Sequence, residues 1–294
     1  MRGRQRMTDR QARDLPLDAH LHTNLSPDSD VPIDVFAEQA VQRGIAEIAI
    51  TDHVDFERGA PAYAYSSFQE RERVVREAAE RWADRGVAIR FGVELTYDRS
   101  WEQDVRDHLA RHTYDFTIGS VHDRVGSPYA PGRVAAWVAG KTLHEIVAPM
   151  FDEVEAAARS GLFDVIGHID VVKRYLYPHL TATDLAGAPE LYEPILRALV
   201  HSGTALEINT SGLRHGVGET YPSPAIVARY RAMGGRAITI GSDGHRADQF
   251  AWALADGYAA AASAGFDALT FRRGGEPVAV ALMAAPNAVA GRSL

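Results

Sequence analysis

Short apolar, β-branched runs alternate with longer helical segments along the whole chain, and no other feature narrows the possible folds as far. The runs are Leu15–Leu21, Ala46–Ile50, Ala88–Val93, Phe116–Val121, Val165–Ile166, Ala205–Ile208, Ala237–Ile240 and a weaker Ala268–Phe271. Between them the pattern predicts helices over Ile33–Arg43, Ser67–Arg85, Glu102–Arg111, Thr142–Ser160, Glu190–Ser202, Ser223–Met233 and Asp248–Ala264. A glycine soon after the last turn, as at Gly44, Gly161 and Gly203, is the expected helix stop. The strand spacing of about 30 to 50 residues is that of a βα unit with its loops. Seven or eight such units in series, without a linker or a change of composition, predict an α/β protein built as one (β/α) barrel. No internal repeat stands out. The barrel domain is expected over residues 15–294, behind a flexible extension at 1–14. The stretches Arg58–Phe68, Arg124–Trp137 and Tyr175–Pro189 read as long loops, where barrels build specificity.

Composition matters for what it excludes. The chain of 294 residues has no cysteine, so disulfides, thiolate metal sites and cysteine nucleophiles are ruled out, and any metal must sit on His, Asp and Glu. The formal charge of −8 is the wrong sign for a nucleic-acid binding protein. The start, MRGRQRMTDRQARD, is basic with no apolar stretch behind it, and no apolar run approaches a span. A cytoplasmic protein without a membrane partner is expected. No G-x-S-x-G elbow, phosphate-binding G-x-x-x-x-G-K-[ST] loop or G-x-G-x-x-G fingerprint occurs.

The histidines fall in a pattern. His20 and His22 stand two apart at the end of the first run, where both project from one face of a strand. His53 closes the second run, Glu94 the third, His122 the fourth and His168 the fifth, while Asp243 and His245 follow the seventh. Six of the twelve histidines, one Glu and one Asp thus gather at the ends of six candidate strands, which in a barrel share the catalytic face. Imidazoles and carboxylates without thiolate suit Zn, Mn or Fe, and eight ligands exceed the needs of one ion. Glu94 is the natural bridge between metals, and such sites favour phosphate-ester hydrolysis. His108, His112, His144 and His201 read as helix-surface residues, whereas His179 and His215 lie in loops that could reach the face.

The ordered series HLH, TDH, GVE, SVH, GHID and SDGH, spread over residues 18–246, resembles the polymerase-and-histidinol-phosphatase (PHP) superfamily of metal-dependent phosphoesterases. The resemblance implies a distorted (β/α)7 barrel with three divalent metals, of a kind (Zn, Fe or Mn) left open. It assigns one metal to His20, His22, Glu94 and Asp243. A second would share Glu94 and add His122 and His168, and a third would use His53, His245 and Asp28. Within the superfamily, GHIDVVKRY and EINTSGLR are similar to the segments through which histidinol-phosphate phosphatases grip the substrate phosphate, implying that role for Arg174 and Arg214. The catalytic set so implied is Glu94, Asp243, His53, Arg174 and Arg214, acting on L-histidinol phosphate through a metal-bridging hydroxide. Asn209 would orient a neighbour or the substrate, or else cap the backbone. Asp52 and Asp170 would either orient ligand histidines or cap helices. The loop from Asp123 departs from that branch, which places an apolar or aromatic residue directly after the fourth-strand His. A phosphodiesterase or phosphatase acting on another small phosphorylated metabolite or nucleotide is the alternative, followed by a noncatalytic metal-binding module. The sequence is silent on oligomeric state.

Overall fold

The structure, a computed structural model, describes residues 15–282. The expected extension at 1–14 and the end of the expected barrel domain, 283–294, lie outside the described residues.

Strands β1 (Leu17–Leu21), β2 (Glu47–Ile50), β4 (Ala88–Thr96), β5 (Phe116–Ser120), β6 (Val165–Ile166), β7 (Ala205–Asn209) and β8 (Ile238–Gly241) pair in parallel in that order. A two-residue strand, β3 (His53–Val54), also lies against β4 and sets His53 opposite Glu94. Strands β1, β2, β7 and β8 are buried along their whole length, which is why they read as mainly apolar runs interrupted by single polar residues. The two edges of this sheet meet. Asp18 on β1 accepts from the backbone N–H and hydroxyl of Ser242 at 2.8 and 2.6 Å, Asp243 N–H donates to His20 O at 2.9 Å, and His22 N–H donates to Gly244 O at 3.0 Å. The result is a nearly closed seven-stranded barrel, the distorted (β/α)7 form.

Helices α1 (Ile33–Arg43), α2 (Phe68–Ala83), α3 (Glu102–Arg111), α4 (Val134–Val138), α5 (Leu143–Ser160), α6 (Val172–Leu176), α7 (Ala182–Ala186), α8 (Pro189–Ser202), α9 (Pro224–Ala232) and α10 (Leu254–Ser263) surround the barrel. Their ends follow local chemistry. Ser67 and Ser223 cap α2 and α9, Thr142 and Glu145 form a capping box on α5, and Gly44, Gly161 and Gly203 close α1, α5 and α8 in the left-handed region.

Three expectations are corrected. Ala268–Phe271 is not a barrel strand: it belongs to β9 (Ala268–Arg273), which pairs antiparallel with β10 (Glu276–Ala281) as a separate hairpin. The helix expected over Asp248–Ala264 starts only at Leu254, because Phe250 is buried against Phe36 and Ala251 and Ala253 turn through positive φ. The loops expected around residues 124–137 and 175–189 hold α4, α7 and the end of α6. No helix among the described residues is long and apolar enough to cross a membrane.

Candidate metal centre

At the C-terminal end of the barrel, five imidazoles converge on one carboxylate. Glu94 Oε2 lies 3.3 Å from His20 Nε2, 3.4 Å from His22 Nε2 and 3.0 Å from His53 Nδ1. Its Oε1 lies 2.9 Å from His168 Nε2 and 3.4 Å from His122 Nε2. Asp243 Oδ1 approaches His22 Nε2 and His245 Nδ1, both at 3.4 Å. Asp28 Oδ2 joins the two outermost rings, at 3.3 Å from His53 Nε2 and 3.1 Å from His245 Nε2. All nine residues singled out as ligands are therefore assembled in one place. Donor atoms of seven of them overlap in three groups within 4.8 Å: His22, His53 and His245; His20, His22 and Asp243; His53, Glu94 and His122.

This donor set fits cations better than it fits itself. The Nε2 atoms of His20 and His22 face each other at 2.9 Å, so at most one proton can lie between two nitrogens that both carry a metal-binding lone pair. Burial disfavours charge on every group here, yet the imidazoles hold the Glu94 and Asp243 carboxyls well below the usual range. His53 is pushed up to about 10 against its burial by Glu94 and Asp28, whereas His22 is driven down by burial and by the charges of His245 and His53. Carboxylates held ionised beside packed imidazoles are what divalent ions require.

Residues beneath the donors fix their orientation. Glu207 on β7, fully buried, takes His20 Nδ1 on Oε1 at 2.6 Å and the His168 backbone N–H on Oε2 at 2.8 Å. Sequence reasoning missed it; a lone acid in the buried run ALEIN was the available signal. Gly167 and Gly241 make the room. A Cβ on Gly241 would meet His20 Cβ at 2.3 Å, and one on Gly167 would meet Ser120 Oγ at 2.4 Å. Asn209 serves both of its expected uses: its amide donates to Glu207 and Asp243 at 3.2 Å each, and its oxygen caps the following turn by accepting from Ser211 N–H. Asp52 instead ties down the loop after β1, accepting from the Thr23 N–H and hydroxyl at 2.6 and 2.8 Å. Asp170 pairs with buried Lys173 at 2.7 Å, and Lys173 also reaches Glu219 at 2.5 Å, linking the loops after β6 and β7.

The two arginines differ. Arg214 donates through Nη1 to Ser242 O and through Nη2 to Asp243 O, both at 2.7 Å, which holds Asp243 at its positive φ of 53°. Part of its fork is thus engaged with the backbone, while its buried Nε has no partner. Arg174 is exposed on α6. Burial and the charges of both arginines push His215 down to about 4. His215 meets Tyr221 Oη at 3.3 Å, and His179 is exposed. His144 and His201 are surface residues as expected, but His108 and His112 are half-buried among Phe56, Phe68 and Tyr114.

Comparison with known proteins identifies the family and the fold. The PHP domain family matches residues 18–211. A probable histidinol-phosphatase of Deinococcus radiodurans is 30% identical over 258 residues, covering 87% of this chain and 96% of its own. The histidinol-phosphatase of Lactococcus lactis is 27% identical over 78% of this chain and 84% of its own. A crystal structure of histidinol phosphate phosphatase from Lactococcus lactis, complexed with zinc, L-histidinol and phosphate, superposes with a TM-score of 0.78 at 24% identity, over 90% of this chain and 98% of that one; it shows the shared fold.

Proposed function

The chain belongs to the PHP domain family, and from that premise we propose that it is a metal-dependent phosphomonoesterase that hydrolyses L-histidinol phosphate to L-histidinol and phosphate. The observation that carries the reading is the convergence of five imidazoles on Glu94, flanked by Asp243, His245 and Asp28, at the mouth where barrels place their chemistry. Similarity over nearly the full length of named histidinol-phosphatases supports the substrate. His20, His22, Asp28, His53, Glu94, His122, His168, Asp243 and His245 would hold three divalent ions. Such ions supply Lewis acidity, neutralising phosphoryl charge and making water a nucleophile at neutral pH.

The chain's own residues do the positioning. Glu207 fixes the His20 tautomer and ring, because its carboxylate must accept the Nδ1 proton and so leaves Nε2 free to ligate. Asn209 restrains the Asp243 oxygen not turned toward His22. Arg174 offers an unencumbered guanidinium for the phosphate at the rim, and the remaining N–H groups of Arg214 add charge deeper in. The reading takes a small phosphorylated metabolite as partner and the cytoplasm as its place of action. Phosphate release from L-histidinol phosphate, compared with an aryl phosphate at equal concentration on protein supplied with Mn or Zn, is the test. A strong preference for histidinol phosphate is expected. Equal rates would keep a PHP phosphatase but overturn this substrate, and hydrolysis confined to phosphodiesters would favour the other branch.

A further inference from the structure

We propose that Lys173 is a positioning residue that aims Arg174 at the substrate phosphate; the inference rests on the phosphomonoesterase reading above, in which Arg174 grips that phosphate. Lys173 is one of only two lysines among 31 basic residues. Its side chain is fully buried, while its neighbour Arg174 is exposed. A compact ammonium on a flexible stem suits a closed site between acids better than a planar guanidinium fork does. The chain reaches Arg174 from the ligand His168 through consecutive turns: Val171 N–H donates to His168 O at 2.8 Å, Lys173 N–H to Asp170 O at 3.1 Å and Arg174 N–H to Val171 O at 2.8 Å. These turns lead into α6, which has five residues and no side-chain cap at its start, so its own hydrogen bonds do not fix its direction. Its buried contacts do. Val172 and Leu176 lie on one line of the helix, Lys173 lies about 100° round from Val172, and Arg174 about 100° further, on the side left to solvent. Two buried lines set the rotation of the helix, and that rotation sets where Arg174 points.

Lys173 anchors α6 to the loop after β7. Its Nζ donates to Glu219 Oε1 at 2.5 Å and to Thr220 O at 3.3 Å, pairs with Asp170 Oδ2 on its own side at 2.7 Å, and lies 5.3 Å from the centre of the Tyr221 ring. The far side of this contact is itself held. Asn209 and Tyr221 exchange backbone hydrogen bonds of 2.8 Å, and Gly212, in the turn Thr210–Arg214, packs so closely that a Cβ there would collide with Glu219 O. The two loops also touch where a Cβ on Gly216 would meet the Tyr177 ring at 2.5 Å. The ammonium therefore joins the arm that carries Arg174 to the strand end that carries Asn209, and Asn209 in turn restrains Asp243 of the metal centre. Without the ammonium, α6 keeps its apolar anchors but loses the polar contact that holds Arg174 in register with the metal face.

The test is a double-mutant cycle. Lys173→Met, Arg174→Ala and the double variant are compared with wild type on L-histidinol phosphate and p-nitrophenyl phosphate, with inorganic phosphate as inhibitor and metal content measured in parallel. Lys173→Met is expected to raise KM and the phosphate inhibition constant by about 10-fold on both substrates, with kcat within about threefold and the metal content of wild type. In the Arg174→Ala background the same substitution should cost less than about twofold, because its effect passes through Arg174. Glu219→Ala leaves the buried Lys173–Asp170 pair in place and carries the cycle should Lys173→Met fail to fold; a smaller rise of about threefold, which also vanishes without Arg174, is expected of it. Additive losses, an unchanged KM or lost metal would overturn the proposal. An Arg174→Ala variant with the KM of wild type would overturn the phosphate role of Arg174 and this proposal with it. A wild type without preference for histidinol phosphate would overturn only that substrate, and coupling seen on p-nitrophenyl phosphate would leave this inference standing.

Discussion

The two ends of the barrel neutralise buried acids in opposite ways. At the N-terminal end each carboxylate meets a permanent cation. Glu47 takes Arg90 at 2.5 Å and Arg273 of the hairpin at 2.7 Å. Asp115 takes both Nη atoms of Arg76, at 2.5 and 2.8 Å, and Asp164 takes Arg272 at 2.6 Å. At the C-terminal end the buried Glu94 and Asp243, and Asp28 at the solvent edge, pair with imidazoles instead. Arginine stays charged at any working pH, so the first end is complete in itself; imidazole yields its proton to a metal, so the second end is built to be completed from outside. Here guanidinium balances acids that hold the fold together, and imidazole balances acids at the centre where the chemistry is placed.

Substitutions at the two ends should therefore fail differently. The largest effect is expected from Glu94→Gln, which removes the carboxylate shared by five imidazoles. Phosphatase activity should fall by about 10²–10³-fold or more together with metal content, read by phosphate release and elemental analysis. Turnover like that of wild type would remove Glu94 from the centre. Glu207→Gln acts one layer below, where loss of an orienting acceptor typically costs about 10–100-fold in metal affinity or activity. A metal titration that superposes on wild type would show that Glu207 only fills space.

At the opposite end, Asp115→Ala strips the acceptor from Arg76 and from the buried Phe91 N–H, 3.0 Å away. Stability in urea should drop by about 1–3 kcal/mol while kcat per folded molecule stays within a factor of two. A large loss of kcat with intact stability would erase the contrast between the ends. The smallest effect concerns acid. Burial holds His108 at about 4, below its ordinary value of 6.5. Below pH 6.5 the unfolded chain takes up a proton that the folded one refuses, so this contribution is intact above 6.5 and is lost as the pH falls toward 4. Thermal melts of His108→Gln between pH 7 and 4.5 should decline less steeply than those of wild type; parallel curves would dismiss the residue.

Much of the donor set was legible because strand ends mark one face of a barrel and residues two apart on a strand share a side, as His20 and His22 do. What lay beneath was not. Glu207 and Asp18 are acids inside apolar runs, and only the closed barrel reveals that one holds His20 and the other fastens β1 to β8. Lys173, next to the exposed Arg174, is buried, because Asp170 and Glu219 are brought to it by separate loops, which sequence neighbours do not reveal. Arg214 was legible as a base near the face, but its grip on the Asp243 carbonyl depends on a positive φ that no spacing encodes. Strand β9 carried a strand's composition without betraying that its partner was the next hairpin arm.

The most direct measurement is a titration of metal-stripped protein with Mn or Zn while phosphate release from L-histidinol phosphate is followed. Silence without metal, with activity rising until about three equivalents are bound, is the result expected of this donor set. Full activity in the stripped protein would contradict it, as would metal binding that never brings phosphate release.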